Sequence, residues 1–337
     1  MNKLRYAEFQ RTFRADECKP FDQAVSGTLF SAVRRGQLRL GVDQSRLAWQ
    51  SKLILLLALP AAGTDLVLES ARWTEQNPAV AVWTLALSTL LGLFAWKMRS
   101  ATPYAAVTGA VLTASLMFST ATIPFAPWRT ALIPVLSVLI LTSISTRLGR
   151  RRKEQLGTAE ARKGREASQV AANLGAAALL SFSVAQSWQI NQSWLHLSGL
   201  LPSAVFIAGL ACLCEAAADT VSSELGQVLN SHPRMITTLR VAEPGTDGAI
   251  SLGGSLAGIV AASVVALAGT AALRGDWLMF VLGWAGGVFG LFLDSLLGAT
   301  LERHGWLNND AVNFLSTLSA AAFALALLSV RSSAGLR

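Results

Sequence analysis

Apolar residues in this chain gather into runs of about 20, the length that crosses the hydrocarbon core of a bilayer. About nine such runs are predicted, near 50–68, 79–97, 104–124, 129–147, 168–188, 197–217, 250–271, 277–297 and 311–330. Within them the apolar residues are continuous rather than alternating. In lipid a segment must satisfy its own backbone hydrogen bonds, so the pattern predicts helices. Pro60 and Pro134 fall inside the first and fourth runs, where neighbouring helices can satisfy the freed carbonyls. The expected fold is an all-α polytopic integral membrane protein with its N-terminus inside.

Two segments are predicted: a basic lead-in, 1–46, and a multi-helix membrane domain, 47–337. In the lead-in, Asp22 can cap an amphipathic helix with Val25, Leu29, Phe30 and Val33 on one face, opposite Arg34 and Arg35. Such a helix could lie on the membrane surface; the alternative is a solvated tail. The first fifty residues are polar and basic, which is not the pattern of a cleavable signal peptide.

Composition supports the membrane reading, with 52% hydrophobic and 14% charged residues where soluble domains carry roughly 25% charged. The net charge of +8 would suit a nucleic-acid partner, but its placement argues otherwise. In the predicted topology all 28 Lys and Arg except Arg72, Arg129, Arg274, Arg331 and Arg337 lie on one side. By the positive-inside rule that side is the cytoplasm, with the C-terminus outside. The predicted polar loops 147–168, 218–250 and 294–312 then share the cytoplasmic face, and the expected location is the cytoplasmic (inner) membrane. Ionisable groups gathered at one face suit an enzyme with a cytoplasmic substrate; a transporter more often sets them at the midplane.

The candidate chemistry is concentrated between Cys212 and Gly258. Asp219, Asp247 and Asp294, with Glu224 in support, place carboxylates at one membrane face, and Mg²⁺ is usually held by one or two carboxylates together with substrate phosphates. The turn Pro244-Gly245-Thr246-Asp247-Gly248 leads into Ser251 and a Gly-rich helix start. Glycines allow positive φ there, and exposed backbone N–H groups at a helix N-terminus suit phosphate oxygens. Gly245, Thr246, Gly248 and Ser251 are therefore candidate phosphate ligands. Arg147, Lys153, Arg234 and Arg240 are candidate sources of positive charge, although Arg150, Arg151 and Arg152 read as anchors to anionic lipid. Gln169 and Asn173 share a helical face, with Asn309 and Asn313 repeating the theme; helix packing and substrate contact are both open for them. Cys212 and Cys214 lie in an apolar run and read as packing residues, and His232 and His304 read as loop residues. Gly254-x-x-x-Gly258, Gly283-x-x-x-Gly287 and Gly286-x-x-x-Gly290 predict close helix packing. No Walker A loop, GxSxG, HExxH or kinase catalytic loop is present.

Six segments, STRLGRRRK (145–153), GREASQVAAN (164–173), ADTVSSELG (218–226), PRMITTLRVAEPGTDGAIS (233–251), LDSLLGATLE (293–302) and NNDAVNFLST (308–317), occur in order. Together they resemble a family of polytopic membrane proteins that includes plant phytyl-phosphate kinase, over roughly residues 104–325. The resemblance implies Mg²⁺-dependent phosphoryl transfer from a nucleoside triphosphate to a prenyl monophosphate. CTP is the implied donor, by analogy with polyprenol and dolichol kinases, with ATP the other choice. The implied partners are the prenyl phosphate, the nucleotide and membrane lipids, with no nucleic acid. Two other readings stand beside it: a lipid-phosphate carrier or flippase, and a cytidylyltransferase acting on a lipid phosphate.

Overall fold

A computed structural model describes residues 47–159, 164–181, 202–229 and 232–333. The lead-in and its amphipathic helix lie outside the described residues. In chain order the helices are α1 (Ala48–Gln76), α2 (Pro78–Lys97), α3 (Pro103–Ser119), α4 (Leu132–Arg147), α5 (Arg150–Leu156), α6 (Ala167–Leu180) and α7 (Pro202–Leu229), then α8 (Leu252–Ala272), α9 (Trp277–Leu297) and α10 (Asn309–Ser333). Two short strands, β1 (Arg234–Met235) and β2 (Ala249–Ile250), pair antiparallel between α7 and α8. Among the described residues six helices are long and apolar enough to cross a membrane, or up to seven when the bent pair α4–α5 counts as one span. The apolar helices α3 and α6 are shorter than a span. α3 stops at Ser119, before the predicted end at 124, and α6 stops at Leu180, before 188.

The helices start where side chains can satisfy their first N–H groups. Asn77 caps α2, Thr102 caps α3, Ser251 caps α8 and Asp276 caps α9, with proline at the first position of α2 and α3. The start of α10 is tied to the start of α1. Asn308 accepts from Ala311 N at 2.9 Å and donates to Ser51 Oγ at 3.0 Å, while Ser51 donates to Asp310 Oδ2 at 2.6 Å.

The largest correction concerns α7. The predicted span ends at 217 and gives way to a loop, but the helix continues unbroken to Leu229. Residues 218–229 hold no proline, and Ala218, Glu224, Leu225, Gln227 and Leu229 favour the helix. α7 is also the central element: 83% of its apolar window is buried, against 39% or less in the other spans. It packs against α4, α6, α8, α9 and α10. Small residues on every side, among them Ala211, Cys212, Cys214, Ala217 and Ala218, make that possible.

The predicted small-residue stripes are what bring α8 and α9 onto it. A Cβ at Gly258 would fall 2.7 Å from Ala218 O, one at Gly254 2.7 Å from Ser222 O, and one at Gly287 would overlap Cys214 Cβ. The other stripe of α9 meets α10 as well, since a Cβ at Gly286 would lie 2.6 Å from Ala320 O. The outer helices turn large apolar side chains outward, including Leu56, Trp83, Leu93 and Leu267, the reverse of a water-soluble surface.

α4 leans on α7 and α8 and scarcely touches α2 or α3. A gap therefore opens between α2–α3 and α4. The chain then bends by 62° into α5 at Gly149, whose φ of 65° brings it against Val228.

Gly287→Ala is expected to destabilise the protein by about 1–3 kcal/mol, the usual cost of overpacking a tight contact. Gly63→Ala, where a Cβ meets nothing within 4 Å, is expected to be neutral. Thermal unfolding of both variants in detergent checks the difference.

Candidate functional site

One end of the bundle carries a polar cavity of about 310 Å³. α6 contributes Gln169 and Asn173, α7 contributes Asp219, Thr220, Ser222, Ser223, Glu224, Gly226 and Gln227, α9 contributes Asp294 and Ser295, and α10 contributes Asn309 and Asn313. Pro244 to Ser251 close one wall. The cavity thus collects twelve of the predicted residues: Asp219, Glu224, Asp247, Asp294, Gly245, Thr246, Gly248, Ser251, Gln169, Asn173, Asn309 and Asn313.

The turn is held there by its glycines. Gly245 and Gly248 have φ of 84° and 77°, a conformation that only glycine adopts freely. A Cβ on Gly248 would collide with Ala299, so the turn rests directly on the π-helical turn Gly298–Glu302 that ends α9. Thr158 hydrogen-bonds Gln227, and its methyl group fills the space a Gly245 Cβ would need. The turn hydrogen-bonds internally, Thr246 N to Glu243 O at 3.2 Å and Ala249 N to Thr246 O at 3.0 Å. Ser251 accepts from Gly254 N at 3.1 Å and opens α8 beside the cavity.

Asp219 lies inside α7, ten residues before its end, rather than at a helix mouth. Asp219 and Asp294, on α9, line the cavity together. Behind this pair sits Glu215, one turn earlier on α7 and fully buried. Ser316 on α10 reaches both sides, 2.6 Å from Glu215 Oε1 and 3.1 Å from Asp294 Oδ2. Sequence reasoning passed over Glu215; the signal was its spacing four residues before Asp219, which puts two carboxylates on one helical face.

Among the described residues no three Asp, Glu, His or Cys side chains converge as a ready-made metal cage. The predicted trio is therefore a facing pair, Asp219 and Asp294, with Asp247 on the turn. The donor set still fits a hard divalent cation, because a facing carboxylate pair leaves the remaining positions to phosphate oxygens and water.

The predicted cations are placed differently. Lys153 is buried and donates to Ser145 O at 2.7 Å and Thr146 O at 3.2 Å, and its ammonium is ion-paired with Glu224. It closes the end of α4 and neutralises Glu224; its charge faces the protein and not the cavity. Glu224 accepts also from Thr146 Oγ1 at 3.3 Å, so it is a structural anion on the cavity wall rather than a supporting metal ligand. Arg234 and Arg240 are exposed and do not line the cavity; Arg234 donates to Leu239 O at 2.8 Å and stabilises its own turn. Arg147 donates to Met98 O, at the mouth of a second cavity.

The basic residue that does line the polar cavity, alone of its kind among the described residues, is Arg165. Its backbone is clamped to the 98–102 loop through Arg165 N to Ser100 O at 3.1 Å and Thr102 N to Arg165 O at 3.0 Å, and Nη2 donates to Thr220 Oγ1 at 3.3 Å. It was legible only as part of GREASQVAAN, four residues before Gln169. The amides join helices or cap them, and also line the cavity. Asn313 Nδ2 donates to Asn173 Oδ1 at 3.3 Å across α10 and α6, and Gln169 Oε1 accepts from Glu166 N at 2.8 Å, while all three line the cavity.

A second cavity of about 400 Å³ lies in the gap between α2–α3 and α4. It is walled mainly by apolar groups and shares Arg165 and Asn173 with the polar cavity.

Comparison with known proteins came to the same membrane class. Residues 86–321 match the family described as integral membrane protein DUF92. An uncharacterized membrane protein of Methanocaldococcus jannaschii is 46% identical over 33% of this chain and 47% of its own length. One from Synechocystis is 31% identical over 59% of this chain and 73% of its own length. Protein VTE6, chloroplastic, of Arabidopsis thaliana is 30% identical over 54% of each chain. The chain thus spans about half the length of the first and third of these relatives. No solved structure matches it.

Lys153→Met is expected to lower the unfolding temperature, because it leaves the partly buried Glu224 carboxylate without its partner. The double variant Lys153→Met/Glu224→Gln is expected to recover most of that loss. Thermal unfolding of the single and double variants tests whether Lys153 is structural.

Proposed function

The chain belongs to the DUF92 family of integral membrane proteins, the polytopic family its motifs pointed to, and from that premise we propose that it is a membrane-embedded phosphotransferase. It moves the terminal phosphoryl group of a nucleoside triphosphate, CTP or ATP, to a prenyl monophosphate and yields the diphosphate. The observation that carries this reading is the meeting of three features in one polar cavity: the Asp219–Asp294 pair, the 244–248 turn, and the Ser251-capped start of α8. In the proposed orientation the N-terminus and the cavity face the cytoplasm, in the cytoplasmic membrane.

In this mechanism the triphosphate lies along the turn, where Ser251 offers a hydroxyl and the α8 N-terminus a partial positive charge; Thr246, whose hydroxyl donates to Glu243 O at 2.8 Å, holds the turn in shape. Asp219 and Asp294 would hold Mg²⁺, which when bound neutralises phosphate oxygens and the charge that develops on them. Without a cation the acidic lining would repel a polyanion. Arg165, with Asn173 and Asn313, orients the acceptor phosphate. An oxygen of that phosphate forms the new P–O bond as the bond from the terminal phosphorus to its bridging oxygen breaks, and nucleoside diphosphate leaves. The attacking oxygen is already anionic, so no general base has to remove a proton. A site with several carboxylates and, among the described residues, no histidine in its lining suits chemistry that rests on positioning and electrostatics.

The test uses purified full-length protein in detergent with Mg²⁺, labelled CTP or ATP, and a panel of prenyl alcohols and monophosphates. A prenyl diphosphate and a nucleoside diphosphate are the expected products. Release of pyrophosphate would instead identify a cytidylyltransferase, and tight lipid-phosphate binding without product would point to a carrier. Asp219→Asn is expected to lower kcat by about a hundredfold or more in protein that remains folded. Full turnover in that variant would remove the metal assignment.

A further inference from the structure

The second cavity answers a question the polar site leaves open, namely where an acceptor's apolar part would go. α2, α3 and α4 wall it, and all three bring their basic or polar ends to the same place. Arg147 donates to Met98 O, and Ser143 Oγ donates to Ser100 Oγ at 3.0 Å, which ties the end of α4 to the loop joining α2 and α3. From that end the lining runs along α4 back to Val135, twelve residues and about 18 Å at 1.5 Å per residue. The wall becomes apolar along that path, with Leu91, Val138 and Leu139 among its side chains.

Three features indicate the occupant. The basic residues that line it, Arg99, Arg147, Arg150 and Arg165, all come from the 98–102 loop, the end of α4, the start of α5 and the residue clamped to that loop, so they gather at the end that meets the polar cavity. Although Arg150 is paired with Glu154, the excess of positive charge there is the pattern an anionic amphiphile complements. Arg165 and Asn173 belong to both cavities, so a phosphate held by them can present its tail to one and its oxygens to the other. The volume sets the size: at roughly 30 Å³ per water-sized group, 400 Å³ holds on the order of a dozen such groups. That is one chain of about 10–20 carbons, not a diacyl lipid or a long polyprenol.

We infer that the cavity between α2–α3 and α4 is the tail site for a single-chain lipid monophosphate of short to medium length, with its phosphate at Arg165 and Asn173. This rests on the phosphotransferase reading for the identity of the acceptor. Gly109 is its width-determining residue. A Cβ there would meet only Val170 Cγ1, at an ordinary 3.7 Å, so a larger side chain grows into the cavity and not into a neighbouring backbone. Gly92 on the facing helix differs, since its Cβ would lie 2.7 Å from Ala106 O; it holds α2 against α3 and closes the wall.

The test is binding of hexyl, dodecyl and triacontyl monophosphate to the full-length protein in detergent, without nucleotide. Dodecyl phosphate is expected to bind at least about tenfold tighter than hexyl, through the extra buried methylenes. Triacontyl phosphate is expected to gain nothing further. Gly109→Phe is expected to erase the dodecyl advantage and leave hexyl phosphate binding as it was. Leu139→Trp, from the opposite wall, is expected to do the same and covers the case in which the first variant does not fold. Unchanged dodecyl affinity in a folded variant, or affinity that keeps rising to triacontyl, would overturn the assignment. The two readings fail separately. Chain-length-dependent binding with no turnover in the wild type would sink the kinase and keep the tail site. Normal turnover of long acceptors by Gly109→Phe would sink the tail site and keep the kinase.

Discussion

Everything in this protein depends on how closely α8 and α9 approach α7. Ala218 O and Ser222 O on α7 face glycines of α8, and Cys214 faces Gly287 of α9. In a bilayer, helices gain no hydrophobic advantage from meeting one another, so packing and polar contacts must hold them. Glycine stripes supply that packing where a side chain would keep the helices apart. The same approach brings Asp294 to Asp219 and places Ser316 between Asp294 and Glu215. The site is thus a consequence of the packing.

The placement of charge follows from the cost of burying it. Lys153 and Glu224 neutralise each other where α4, α5 and α7 meet, and the remaining ammonium protons find the last carbonyls of α4. That leaves Arg165 facing the carboxylates of the cavity, held by the 98–102 loop and Thr220. In the proposed function this acidic cavity, with one guanidinium at its edge among the described residues, would take a cation and an anion together rather than either alone. Phosphoryl transfer between a metal-bound nucleotide and a lipid phosphate has that requirement.

The second cavity exists because α4 leans away from α2 and α3 onto α7 and α8. A gap of this kind would be a packing defect in a soluble core, where voids are costly. Beside a polar site in a membrane protein it can admit one hydrocarbon chain. Arg165 and Asn173, on the boundary, are where polar and apolar halves of one amphiphile would meet.

Much of this was legible in the sequence, because the properties concerned are local. Apolar runs, small-residue spacing, the PGTDG turn and the paired amides each depend on a few neighbouring residues, and they located the apolar helices, the tight helix contacts and about half of the cavity lining. What remained hidden depends on residues far apart in the chain. A positive charge looks the same in sequence whether it lines a cavity, as Arg165 does, or pairs with a glutamate of the protein, as Lys153 does; only the contact between α4–α5 and α7 decides. The same holds for Glu215, which is one carboxylate among alanines until α9 and α10 close around it. The length of α7 was misjudged because Asp219 and Glu224 read as the end of a span, whereas burial against five helices gives those carboxylates partners and lets the helix continue.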